Sequence, residues 1–148
     1  MKAEIFSSWL TSWLTWALLS AVFAAGTAIF AKIGVENIDS DTATLIRTLI
    51  VAVVLAALLV ATGRLTRVDV SPRTWLFLTL SALATGASWL CYFRALKLGD
   101  AARVAPIDKL SVVLVALLGA TLLGERLSMV NWLGVALIAA GAALVAFR

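Results

Sequence analysis

Val104-Ala-Pro-Ile-Asp-Lys-Leu-Ser-Val-Val-Leu-Val-Ala-Leu-Leu-Gly-Ala-Thr-Leu-Leu-Gly-Glu-Arg126 is the stretch whose reading decides the fold. Leu110 to Leu123 carries no charge and reads as a helix in lipid. Pro106, Asp108 and Lys109 stand at one end of it, and Gly124-Glu125-Arg126 closes the other. An ionisable side chain at the centre of a membrane helix costs about 2.5–3.5 kcal/mol on insertion scales, and less near the ends. Packing alone does not call for that cost. The segment is therefore expected to wall a polar site inside a membrane bundle.

Composition agrees. Hydrophobic residues make up 63% of the chain and charged ones 14%. Soluble domains average about 45–50% and about 25%. The 148 residues suffice for one bundle and leave no room for a soluble domain. The net charge of +4 is small, and the basic residues lie at segment ends, so nucleic acid is not an expected partner. Arg64, Arg67 and Arg73 form the nearest thing to a basic cluster and are expected to meet lipid headgroups. Histidine is absent, which removes imidazole metal sites and histidine base catalysis. Cys91 is the single cysteine, so no internal disulfide or cysteine metal cluster is expected. No phosphate loop or nucleophile elbow appears, and neither a cofactor nor a catalytic residue is expected.

Outward from the deciding stretch, five apolar spans are expected, at about 9–31, 43–62, 74–93, 104–123 and 131–147. The first covers about 34 Å at 1.5 Å per residue, enough for a hydrocarbon core of about 30 Å. A cleaved signal peptide would have a shorter apolar region and a more basic start. Small residues mark close-packing faces: Ala17, Ala21 and Ala25 in span one, and Gly134 with Gly141 in span five. No linker is long enough to divide domains.

Several residues have two readings. Trp9, Trp13 and Trp16 recur on one helix face as interfacial anchors, with Trp16 deep enough to line a cavity instead. Arg47, one turn inside span two, either snorkels to headgroups or faces the bundle interior. Trp89 and Tyr92 either belong to an interfacial belt or form a stacking wall for a substrate. Asp100 can cap a helix starting at Ala101 that Pro106 kinks; alternatively Pro106 opens the helix. Asp108 in a first turn suits the helix dipole, whereas Lys109 is opposed by it, which makes Lys109 the sharper candidate. Glu125 follows Gly124 at a span end and reads as a surface residue or as a gate. Arg47 and Lys109 against Asp108 leave a surplus of one positive charge, which favours a carboxylate- or phosphate-bearing substrate. A cationic solute held by Asp108 or Glu125 and the aromatics is the alternative.

Leu10 to Gly34, Ala95-Leu-Lys-Leu-Gly-Asp-Ala-Ala-Arg-Val-Ala-Pro-Ile-Asp-Lys-Leu110, Leu123-Gly-Glu-Arg-Leu127 and Trp132-Leu-Gly-Val-Ala-Leu-Ile-Ala-Ala-Gly141 resemble the EamA domain of the drug/metabolite transporter superfamily. The resemblance implies an all-α integral membrane fold of five transmembrane helices, half of a ten-helix inverted-repeat transporter. It implies movement of a small metabolite or drug-like solute, without a bound cofactor, in a bacterial inner membrane. Alternating access around a midplane site at a repeat interface is the expected mechanism, with Arg47, Asp108, Lys109, Trp16, Trp89 and Tyr92 as substrate contacts and Pro106 and Glu125 in gating or coupling. A non-transporting accessory subunit is the second reading, and a membrane enzyme a distant third.

Charge counting adds an expectation about assembly. Lys2, Arg64, Arg67, Arg73 and Arg126 fall on one side of the membrane; Lys32, Arg94, Lys97, Arg103 and Arg148 fall on the other. This count of five against five sets Arg47 and Lys109 aside as intramembrane; including them gives five against seven, still a weak bias for the positive-inside rule to act on. An antiparallel homodimer of oppositely inserted copies is expected, rebuilding the inverted pair.

Overall fold

The computed structural model describes residues 12–64 and 70–146. Trp9, Lys2, Arg67 and Arg148 lie outside the described residues. Six helices follow one another: α1 (Trp13–Gly34), α2 (Ser40–Ala61), α3 (Pro72–Leu98), α4 (Ala101–Asp108), α5 (Ser111–Leu122) and α6 (Met129–Ala146). No strand occurs among the described residues. Helices α4 and α5 run on as one crossing, so five helical segments are long and apolar enough to span a membrane. The chain is an all-α, multi-pass membrane protein, as its hydropathy demands. Lipid offers no hydrogen-bond partners, so each crossing satisfies its backbone within the helix.

The ends are set by local chemistry. The Asp39 carboxylate caps α2 by accepting from the Asp41 and Thr42 backbone N–H groups at 2.9 and 3.0 Å. The Thr42 N–H bond pulls the Asp39 pKa below the usual carboxylate range. Its cap is therefore in place above the ordinary carboxylate pKa and fades as pH falls through the depressed value. At the other end of α2, Gly63 takes φ +64°, and the Arg64 N–H donates back to the Leu59 carbonyl at 2.9 Å. Ser71 caps α3, with Pro72 pre-set at its first position.

The packing is uneven along the bundle. Helix α2 lies along α3, α4 and α5 lie against α6, and α1 touches α3 and α4. The core cluster of Ala31, Val35, Ala43, Phe93 and Leu96 sits at one end, where α1 and α3 finish and α2 begins. Leu96 is 0% exposed there, while Leu83, four turns back on the same helix, is 66% exposed. Ala17, Ala21 and Ala25 are exposed; the buried small residues of α1 are Ala28 and Ala31, one or more turns further on. The chain's own close contact thus lies nearer the helix end than the small-residue spacing implied.

Cations reinforce this packed end. Lys32 Nζ donates to the Leu96 and Gly99 carbonyls at 2.8 and 2.9 Å, tying α1 to the end of α3. Lys97 Nζ donates to the Ile38 carbonyl. Arg103 Nη2 donates to the Ala146 carbonyl at 2.7 Å, at the end of α6. Arg94 pairs with Asp41 at 2.9 Å. Positive charge is stabilising where helix carbonyls are left without intrahelical donors, so sequence and dipole act together.

Candidate functional site

Just inside the packed end lies a cavity of about 540 Å³. That is within the range of about 300–1,000 Å³ typical of small-molecule sites. Helix α1 supplies Ser20, Phe23, Ala24 and Thr27; α2 supplies Arg47; α3 supplies Ser88, Trp89, Tyr92 and Phe93; and Asp108 and Lys109 complete the lining. The α1 residues recur at i, i+3, i+4 and i+7, a single stripe down one helix face. A second cavity of about 380 Å³ lies between α1 and α2. Thr27, Arg47 and Phe93 line both, so Arg47 stands at their shared wall.

Arg47 lies about 10 Å along α2 from Ser40. Its guanidinium carbon stands 4.1 Å from the centre of the Trp89 ring and 5.6 Å from that of Phe93. Cation–π contact is worth about 0.5–1 kcal/mol at exposed sites and about 2 or more when desolvated. It offsets part of the cost of the charge and holds the guanidinium over the Trp89 ring. It does not satisfy the guanidinium N–H donors. Arg47 Nη1 is buried and has no hydrogen-bond partner, alone in this among the described side-chain atoms. The hydroxyls nearby behave differently: Thr44 and Thr48 donate to the carbonyls of Ser40 and Thr44, one turn back. These two hydroxyls are satisfied locally, and the large cation beside them is not.

The break between α4 and α5 places the other two charges. Pro106 lies inside α4 and has no N–H to give the preceding turn. Past it the bonds shorten to i→i+3, from Leu110 N–H to Ile107 and from Val112 N–H to Lys109, both at 3.0 Å. The helix begins at Ala101, with Pro106 in its interior, which settles the choice between the two helix starts. It also corrects the dipole argument. Lys109 is the C-cap of α4, where a cation is favoured, and Asp108 is the last helical residue, where an anion is not. Lys109 Nζ and Asp108 Oδ2 pair at 3.3 Å.

Arg47, Trp89, Tyr92, Asp108 and Lys109 thus come together on one cavity. Trp16 does not line it and is 58% exposed on α1, one turn from Ser20. Pro106 is half-buried outside the lining and shapes it through the helix break. Glu125 is also outside. Gly124 takes φ +70°, which turns the chain back so that the Glu125 N–H donates to the Gly119 carbonyl at 3.0 Å. The Glu125 carboxylate then lies over Gly119, where an added Cβ would meet Oε2 at 2.7 Å. Sequence reasoning did not single out Ser20, Phe23, Thr27, Ser88 or Gly119. Ser20 and Thr27, a seven-residue interval on one face of an apolar helix, carried the available signal.

The comparisons with known proteins bear on this arrangement. The model of the EamA-like transporter family matches residues 11–147. The chain belongs to this family. A curated relative from Sinorhizobium sp., named an uncharacterized transporter in the cobO 3′ region, is 66% identical over 136 residues, covering 91% of this chain and 96% of its own. No solved structure matches the chain. Within this EamA chain, the Leu-Gly-Glu element of residues 123–125 is a turn that docks a carboxylate on a glycine, well apart from the cavity residues.

That docking gives a test. Alanine is favoured over glycine inside a helix by about 0.5–1 kcal/mol. At Gly119 the new methyl must first displace the Glu125 carboxylate, the far end of a flexible side chain, so Gly119→Ala is expected to lose most of that gain. In a Glu125→Ala background the same change is expected to stabilise. Thermal unfolding in detergent reads the cycle, and additive effects would show that the carboxylate does not rest on Gly119.

Proposed function

We propose that the chain is a transporter subunit that moves a small metabolite or drug-like solute by alternating access, with the cavity around Arg47 as its binding site. The observation that carries this is the Arg47 side chain, a cation without a hydrogen bond or ion pair to any described residue, in the wall of a cavity of about 540 Å³. An accessory subunit held by packing would keep its charges at helix ends. Here Arg47, within α2, and Asp108 and Lys109, at the break between α4 and α5, line one cavity instead. Family membership and the transporter name of the Sinorhizobium relative support the same reading.

The uneven packing supports alternating access. Between the cavity and one end of the bundle stand Phe93 and Leu96, behind which Lys32 bonds the Leu96 and Gly99 carbonyls. A carrier keeps one end shut while the other is open, and this cluster is the shut end of one state. Opening it requires Lys32 to release two backbone carbonyls, while the helix break at Lys109 gives α4 and α5 separate bodies to move.

Cells expressing the wild-type chain are expected to differ from vector controls in the inside-to-outside ratio of at least one small solute. Arg47→Gln should return that ratio to the control. Identical solute profiles for wild type and Arg47→Gln, at equal membrane levels, would remove Arg47 and its cavity from transport.

The working unit in this proposal is an antiparallel homodimer in a bacterial inner membrane, solvated by lipid. Five crossings put the chain's ends on opposite sides, and with Arg47 and Lys109 set aside as intramembrane the other ten Lys and Arg residues divide five and five between them. Cytoplasmic and periplasmic reporters fused after Arg148 should both give signal, with the ratio moved by one added loop Lys. Signal from a single compartment, unmoved by that charge, would leave a parallel arrangement.

A further inference from the structure

Resting on the reading of the cavity as a transport site, we infer that its substrate is an organic anion of single charge, a carboxylate on an apolar body, bound by the Arg47 guanidinium. Three observations meet at this point. The first is the orphaned cation: the Arg47 side chain lines the cavity with no hydrogen bond or ion pair to any described residue, and its Nη1 is sealed in the protein without an acceptor. A carboxylate is the acceptor that a planar guanidinium fork fits best, and the Trp89 ring, its centre 4.1 Å from the guanidinium carbon, holds the group in the cavity wall.

The second is the charge balance of the lining. Lys109 is taken by Asp108 at 3.3 Å, so these two cancel and Arg47 is left with one uncompensated positive charge. A monoanion brings the cavity to neutrality. A phosphate monoester, near two negative charges, leaves an excess negative charge in a low-dielectric space, and a cationic solute adds to the positive one. The third is the rest of the wall. Phe23, Trp89, Tyr92 and Phe93 offer ring faces and edges, whereas Ser20, Thr27 and Ser88 offer only neutral hydroxyls. The only other cation in the lining, Lys109, is already paired with Asp108, and the rings suit an apolar body. An anionic phospholipid also joins one negative charge to an apolar body, so the experiment separates it from a free carboxylate.

The full chain in phosphatidylcholine nanodiscs is titrated with octanoate and phenylpropionate. Methyl phenylpropionate, phenyl phosphate and phenylethylammonium are the controls, and thermal shift and tryptophan fluorescence are the readouts. At least one of the carboxylates is expected to raise the melting temperature. The ester and the ammonium should not, and phenyl phosphate should bind at least about tenfold more weakly. Arg47→Gln should weaken carboxylate binding at least about tenfold. Its own melting temperature without ligand should change little, because relief of the unsatisfied Nη1 offsets the lost contact with Trp89. If Arg47→Gln does not fold, Arg47→Lys, which keeps the charge and loses the fork, is expected to bind the carboxylate more weakly than wild type. The inference is overturned if neither carboxylate binds, if ester and acid bind alike, or if Arg47→Gln and Arg47→Lys both bind as wild type does. It is also overturned if only phosphatidylglycerol stabilises the chain through Arg47, which would make this a lipid headgroup site. Failure here, with solute profiles still dependent on Arg47, would sink the carboxylate and leave the transport reading standing.

Discussion

An arginine inside a lipid-spanning helix must be stabilised by something other than bulk water, and for Arg47 that partner is the face of Trp89. The pair joins α2 to α3, the two helices that lie along each other in the bundle. Phe93, one turn on from Trp89, meets the same guanidinium at 5.6 Å and is also 3% exposed in the core cluster. The charge, the cavity wall and the packed end are therefore linked through one helix face. Remove the ring contacts, and the guanidinium has neither a carboxylate partner nor a reason to stay inside.

The rest of the bundle can be read as the support for that charge. One end is closed by apolar side chains, Phe93 and Leu96 among them, and by cations whose partners are mostly backbone carbonyls. Such bonds hold without needing a matching acid, and they exchange readily for water when an end opens. The exposed Arg94–Asp41 pair adds little by comparison, since surface ion pairs contribute about 0–1 kcal/mol. Beyond the cavity the helices present large apolar side chains outward, such as Phe77 and Leu83. That surface suits lipid and a second subunit.

The crossings were legible in the sequence because lipid punishes unpaired polar groups, so long apolar runs have one reading. The grouping of Arg47, Trp89, Tyr92, Asp108 and Lys109 was legible for the same reason, since charges and rings inside such runs are few. Which way Arg47 points was not, because snorkelling and inward packing share one sequence pattern. The dipole at Lys109 was misjudged because Pro106 is compatible with both a helix start and a helix interior. Gly119 escaped notice altogether. Its role depends on a carboxylate brought back by the turn at Gly124, a contact that no local pattern encodes.

The account stands on Arg47 facing inward over Trp89, away from headgroups. Nitrogen NMR of isotopically labelled arginine in lipid nanodiscs reads this directly, with spin labels placed at the headgroups or at the chain ends. The account predicts that the Arg47 guanidinium resonance is displaced by the Trp89 ring current, moves back in Trp89→Leu, and is little broadened by headgroup labels. A resonance indifferent to Trp89→Leu and strongly broadened by headgroup labels would show Arg47 at the membrane surface, and would contradict the site.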